Sequence, residues 1–389
     1  MIDCIVVGAG LAGAVMAERL ASQLNKKVLV IEKRSHIGGN CYDYKDVNDI
    51  LVHKYGPHLF HTNNKAVFTY LSKFTEWDVY QHKVLAMVDG QKVAIPFNLN
   101  TLYDLFPNNL AKTLEEKLLL HYPFNSKVPI LELKKSIDED LQFLADYIYE
   151  KVFVHYTAKQ WGMKPEEMDS AVTARVPVFI GKDDRYFNDE YQTVPKKGYT
   201  KLFENMLNHP NIKLLLNTDF NEFCSIDDNK IFLLGQVFEG LVVYTGQIDE
   251  LFGYSLGELP YRSVAMKFES LDQNLYQEST TINYPNNYDF TRITEFKHIH
   301  SVKSNKTTIL KEYPQQYVRN QNTPYYPIFT DENILIYDKY KQSANELKNL
   351  LLLGRLAEYK YYDMDDMVEQ ALKAFEEVKS GNQTIKFDD

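Results

Sequence analysis

The chain of 389 residues is 44% hydrophobic and 25% charged, and its formal net charge is −10. A length of this order exceeds what one simple core accommodates and predicts two or three domains. The acidic balance excludes the basic face that a nucleic-acid partner needs, and the lack of any run of about 18 apolar residues excludes stable membrane insertion.

The N-terminus runs into an apolar strand with no basic region ahead of it, so a cytoplasmic protein without a secretory signal is expected. Asp3-Cys4-Ile5-Val6-Val7 reads as a buried strand and residues 11–24 as a helix; between them lies Gly8-Ala9-Gly10-Leu11-Ala12-Gly13. A second apolar run, Lys27-Val28-Leu29-Val30-Ile31, ends in Glu32. Strand, glycine turn, helix, strand and acid in this order make a dinucleotide-binding unit. Gly8 permits the tight turn, Gly10 lets backbone approach a pyrophosphate, Gly13 lets helix and strand pack closely, and Glu32 accepts from a ribose hydroxyl. Lys33 follows, and Gly38-Gly39-Asn40 comes soon after. An acid followed by a glycine pair resembles the extended fingerprint of disulfide-reductase-like and amine-oxidase-like flavoproteins, which implies FAD rather than NAD; the two glycines would let that loop lie against the flavin side of the dinucleotide.

Residues 76–97 alternate around the turn pair Asp89-Gly90 and predict a hairpin. Residues 98–165 turn helical, with short helices at 101–106 and 110–120. A Ser136-x-x-Glu139 capping box precedes a helix over 141–153. The α/β style returns at 193–245, with a helix to Leu207 and strands at 212–216, 230–234 and 240–244. Residues 255–322 are strand-rich, and a helix is expected over 340–350. The apolar run Leu350-Leu351-Leu352-Leu353 ends in Gly354-Arg355, a closing helix spans 365–379 and a frayed tail 381–389. Cys4, Cys41 and Cys224 have no metal-ligand spacing, and an odd count fits a reduced compartment; no metal is expected. The architecture that results is α/β. It has a Rossmann-like FAD-binding domain (1–75, 193–250 and 330–389), an inserted helical domain (98–165) and an inserted antiparallel β-sheet substrate domain (76–97, 166–192 and 251–329).

Several blocks share one further pattern: His53-Lys54-Tyr55-Gly56-Pro57-His58-Leu59-Phe60-His61-Thr62, Tyr156-Thr157-Ala158-Lys159-Gln160-Trp161-Gly162, Arg175-Val176-Pro177-Val178, Thr291-Arg292-Ile293-Thr294-Glu295, Pro324-Tyr325-Tyr326-Pro327, and Gly354-Arg355 through Asp363-Met364. In this order they resemble the bacterial UDP-galactopyranose mutases across essentially the whole chain. The resemblance implies an isomerase that interconverts UDP-galactopyranose and UDP-galactofuranose with FAD, active when reduced and without net oxidation. The flavin N5 attacks the anomeric carbon and UDP is the leaving group. It also implies a homodimer, with the helical insertion as the expected interface.

Residue roles follow from the same match. Arg175 and Arg292 correspond to the arginines on the pyrophosphate, where a planar fork of donors suits developing negative charge; Arg175 falls in a segment matching the family's mobile loop. Tyr186, Tyr326 and Tyr361 correspond to tyrosines that support the phosphates, Tyr325 being the neighbouring ambiguity. Tyr156 resembles the uracil-stacking aromatic, with Phe153 three residues earlier as a second wall, and Thr157 and Trp161 resemble uridine- and sugar-side contacts. His58 matches the loop that packs on the flavin and responds to its redox state, and His61 reaches the sugar or flavin. Lys33, Asn40, Arg355, Asp363 and Met364 join the glycines and Glu32 as cofactor contacts. Two departures stand out: His82 occupies the place of a ligand-contacting asparagine, and Val152-Phe153 stands where the family has a Phe-Phe pair. The fold alone permits an alternative, an FAD-dependent oxidoreductase of the amine-oxidase-like class.

Overall fold

The computed structural model describes residues 2–162, 177–300 and 302–381. The opening unit forms as read, with strand Cys4–Val7, helix Leu11–Leu24 and strand Val28–Ile31. Both strands are apolar and almost wholly buried, the composition of a parallel sheet covered on two faces. They lie at the centre of a five-stranded parallel sheet ordered Ile212–Leu215, Val28–Ile31, Cys4–Val7, Leu241–Tyr244, Leu350–Leu352. Distant parts of the chain thus build one sheet, and the late strand docks beside Leu241–Tyr244, which separates it from the first. The glycine turn is sterically closed: a Cβ on Gly13 would stand 1.9 Å from the Gly8 carbonyl oxygen. Helix Leu11–Leu24 therefore lies directly on the sheet, packed against Tyr199–Leu207 and the last helix, Met364–Lys379.

A seven-stranded sheet runs Tyr326–Pro327, Tyr261–Leu271, Thr307–Gln316, Arg292–Glu295, Thr281–Asn283, Val84–Val88, Gln91–Ile95. It is antiparallel except where Thr281–Asn283 pairs in parallel with the hairpin strand Val84–Val88. The hairpin closes through Asp89 and Gly90, both at positive φ (47° and 83°), as a two-residue turn requires. Helices Leu99–Leu105, Asn108–His121, Ile130–Leu133 and Glu139–Ile148 gather a core of their own around Leu102, Leu114, Leu144 and Ile148.

Three local readings need correction. The helix beginning at Glu139 is capped by Asp138, whose carboxylate accepts from the Asp140 and Leu141 amides, and Ser136 only accepts from the Asp138 amide. A carboxylate next to the first turn satisfies two orphan donors and displaces the capping box. That helix stops at Ile148 and continues through a π turn, Tyr149–Val154, into His155–Trp161. The helix expected over 340–350 is Asp331–Asn345, capped by Thr330. Its buried residues are only Tyr340 and Ala344, so its apolar period is faint. The tail expected after Gly381 lies outside the described residues. Cys4, Cys41 and Cys224 are buried free thiols. Among the described residues no cluster could hold a metal ion, and no helix is long and apolar enough to cross a membrane.

Candidate active site

Two chambers share a wall. The first lies over the carboxyl end of the parallel sheet and is lined by Gly8, Gly10, Glu32, Lys33, Gly38, Gly39 and Asn40 from the N-terminal unit, and by Arg355, Asp363 and Met364 from the C-terminal segment. Gly13 sits beneath the turn and packs rather than lines. Gly10 and Gly39 stand back to back, so that a Cβ on Gly39 would come 2.9 Å from the Gly10 Cα. Helix Leu11–Leu24 begins at Gly10 with no side-chain cap, which leaves its first amides and the positive end of its dipole for an anion. Glu32 has a bracing role that sequence reasoning did not anticipate: its two carboxylate oxygens accept from the Ala9 and Arg34 amides, each at 2.8 Å. It ties the glycine turn to the end of the second strand and still borders the chamber. Lys33 reaches Glu250 at 3.0 Å on the rim, and Asn40 accepts from Arg34. A glycine cradle, an uncapped helix start and a carboxylate at the strand end fit the adenosine diphosphate half of a dinucleotide.

Six residues line both chambers: Asn40, His58, Tyr325, Arg355, Asp363 and Met364. They come from the glycine-pair loop, the Gly-Pro-His turn, the segment 324–327 and the C-terminal segment, so the far end of a dinucleotide in the first chamber would meet whatever fills the second. His58 donates from Nδ1 to the Gly56 carbonyl (2.8 Å), and burial lowers its pKa to about 4, with Arg355 and Arg292 acting in the same direction. The ring is neutral near pH 7.

The second chamber is lined by His61, His82, Tyr156, Tyr186, Arg292, Tyr326 and Tyr361, with Lys127, Phe187 and Asp189. Arg292 starts its strand and pairs across the sheet with Glu312, the Nε donating at 2.7 Å to a carboxylate that is 2% exposed. Burial alone would lower the arginine's pKa, but Glu312 outweighs it and holds the guanidinium firmly charged. With Nε committed, the outer edge of the fork is the part left for a ligand. Burial also keeps the Tyr156 phenol protonated by raising its pKa. Tyr326 and Tyr361 stack at 6.0 Å, and the Arg355 guanidinium lies 4.6 Å from the Tyr361 ring centroid. Tyr325, 5% exposed, fills the partition, while Tyr326 faces the second chamber. His61 stacks on Phe187 at 3.6 Å, and its Nδ1 lies 3.0 Å from Asp189, whose other oxygen accepts from Asn63. His82 is 6% exposed, and burial, reinforced by the Arg292 charge, lowers its pKa to about 3. It is a neutral ring in the chamber wall, within reach of the Tyr80 hydroxyl at 3.2 Å.

Not every expected residue reaches a chamber. Phe153 sits in the helical core against Tyr149 rather than forming a second wall beside Tyr156. Thr157 is 8% exposed and lines neither chamber. Arg175 and the Trp161 side chain lie outside the described residues. Lys159, in the same block, clamps the wall from outside by donating to the carbonyls of Tyr284, Tyr288 and Phe290. Glu312 and Lys127 were not singled out from sequence, and Phe187 and Asp189 stood in the block Tyr186-Phe187-Asn188-Asp189 that carries the resemblance without being given a role. The partners of Glu312 and Asp189 lie far along the chain and meet them across sheet pairings.

Comparison with known proteins agrees with this geometry. Residues 151–361 match the family model for UDP-galactopyranose mutase, and residues 6–74 match that for an NAD(P)-binding Rossmann-like domain. A UDP-galactopyranose mutase of Mycoplasma genitalium is 36% identical over 97% of this chain and 95% of its own length. A dTDP-fucopyranose mutase of Escherichia coli is 35% identical over 95% of this chain and 96% of its own. The fold matches a crystal structure of reduced UDP-galactopyranose mutase with a TM-score of 0.72, at 16% identity, over 98% of this chain and 94% of that one. The chain belongs to the UDP-galactopyranose mutase family.

Proposed function

We propose that the protein interconverts UDP-galactopyranose and UDP-galactofuranose, with FAD in its reduced form held in the first chamber and the sugar nucleotide in the second. The observation that carries this reading is the shared wall of six residues, which brings the reacting end of a dinucleotide against a chamber built around a firmly charged arginine. Bound reduced FAD supplies a nucleophilic nitrogen for the anomeric carbon, with no net redox change. The chain supplies the rest. Arg292, joined by Arg175, takes the pyrophosphate charge that develops as UDP departs. Tyr186, Tyr326 and Tyr361 add neutral donors, which orient the phosphates without over-binding the product. Tyr156 offers a face to the uracil ring, and His58, neutral and on the partition, orders the junction. An oxidoreductase reading shares the fold but leaves Arg292 and its tyrosines without a task.

The test is to incubate dithionite-reduced, FAD-loaded enzyme with UDP-galactofuranose and follow UDP-galactopyranose by chromatography. Conversion is expected, and an unchanged sugar with reduced flavin intact would overturn the reading. The dTDP-fucopyranose mutase relative, as similar as the UDP-galactopyranose mutases, favours a second reading in which a deoxyribonucleotide 6-deoxysugar is handled. The same assay with dTDP-fucofuranose separates the two through their kcat/KM ratio. His82 is the wall residue that bears on sugar choice. Replacing this imidazole by the smaller His82→Asn side chain is expected to raise relative kcat/KM for an N-acetylated UDP-sugar about tenfold. An unchanged ratio removes His82 from the sugar wall.

A further inference from the structure

The turn carrying His58 is held from behind by a second histidine. His53 ends the strand Leu51–His53 and is 0% exposed. Its Nδ1 lies 2.9 Å from the His58 backbone nitrogen. An amide only donates, so Nδ1 is an unprotonated acceptor, and the ring is neutral with its proton on Nε2. The ring is wrapped by Tyr199, edge-on at 5.6 Å, and by Phe296 at 5.5 Å. Its Nε2 is buried with no partner among the described residues. An apolar side chain would suit that packing without burying an unpaired N–H group, and buried polar atoms left unpaired call for a reason. Among the described residues the one hydrogen bond of this ring is with the His58 backbone.

The same short turn fixes the His58 ring. The Gly56 carbonyl can only accept, so His58 Nδ1 carries the proton and Nε2 is left as a bare acceptor. Gly56 permits the turn by its φ of 91°. Peptide and ring of His58 are therefore both set within six residues, and His58 stands on the partition between the chambers.

We propose that His53 is a positioning residue: by accepting from the His58 amide it fixes the Pro57–His58 peptide and so aims His58 Nε2 at the junction where cofactor and sugar meet. This rests on the placement of FAD and sugar nucleotide given above. His53→Leu removes the acceptor while keeping bulk, whereas His53→Asn restores an acceptor oxygen close to the Nδ1 position. With FAD-loaded protein, His53→Leu is expected to lower kcat about tenfold or more with KM and flavin stoichiometry little changed, and to shift the reduction potential and visible spectrum of the bound flavin. His53→Asn should recover most of both. Combined with His58→Ala, His53→Leu should add almost nothing, because the two act as one unit.

Wild-type kcat and potential in His53→Leu, additive losses in the double variant, or no recovery by His53→Asn would each overturn the proposal. Should the leucine variant not fold, His53→Gln, which puts its amide beyond the Nδ1 position, makes the same comparison against His53→Asn. The potential is read without sugar, so a protein that holds FAD but converts no UDP-galactofuranose would overturn the functional reading while still testing His53.

Discussion

Arg292→Ala is expected to lower kcat about a hundred- to a thousandfold while FAD remains bound at full stoichiometry. The guanidinium sits at the start of a central strand with its Nε on Glu312, so its remaining edge has little freedom to face anywhere but the chamber. In the proposed reaction UDP departs with negative charge developing on its diphosphate, and a donor preset where that charge develops contributes about 3–4 kcal/mol to such a step. The alanine variant also leaves Glu312 buried without its partner, which is destabilising in its own right. The double variant Arg292→Met with Glu312→Gln removes that complication, and Arg292→Lys keeps the charge but loses the fork. All three should retain the yellow flavin, and both the double variant and the lysine variant should turn over poorly. Recovery of turnover in the double variant would show that the loss came from the stranded carboxylate. Arg175→Ala should reduce turnover in the same way if the loop arginine shares the pyrophosphate.

Gly13→Ala is expected to give a protein that neither folds stably nor holds FAD, whereas Gly10→Ala should fold and still fail to hold it. A methyl on Gly13 would stand 1.9 Å from a backbone oxygen, so no side-chain rotation relieves it and the helix must lift from the sheet. A methyl on Gly10 meets nothing nearer than the Gly39 Cα at 3.6 Å. It leaves the chain intact but occupies the surface that the pyrophosphate must approach. Thermal melts of the cofactor-free proteins, with flavin absorbance after reconstitution, distinguish the two. A normal melting temperature for Gly13→Ala would show that the turn can open, and full flavin uptake by Gly10→Ala would place the pyrophosphate elsewhere.

What could be read in the sequence was local and periodic. Gly8, Gly10 and Gly13 carry their meaning in spacing, Asp89-Gly90 closes its hairpin through conformations that those residue types favour, and helix Leu11–Leu24 ends where its pattern does. Arg292, Tyr156 and the tyrosines were reached through family resemblance rather than periodicity, and the structure gathers them in one chamber. What stayed hidden depends on pairing between distant segments. Glu312 becomes the partner of Arg292 only through sheet register, and Asp189 meets His61 only when Tyr191–Pro195 lies beside Phe60–Thr62. Glu32 was read for the ligand alone because its two amide contacts need the turn folded back onto the strand end. Phe153 was misplaced because helical spacing shows which residues share a face but not what that face meets, and Phe153 meets the core of the helical insertion.

The π turn Tyr149–Val154 has a wider meaning. Tyr149 and Phe153 belong to the packing of the helical insertion, and Tyr156, a few residues on, belongs to the ligand chamber. One continuous rod of chain thus answers to two masters, and the place where it changes allegiance is a slip in winding, not a loop. Upstream of the slip, variation is limited by how well side chains fill a core. Downstream, on the placement proposed above, a substitution would be limited by what the nucleotide in that chamber tolerates. The frontier between scaffold and chemistry therefore crosses the middle of a helix, where no domain boundary would be drawn.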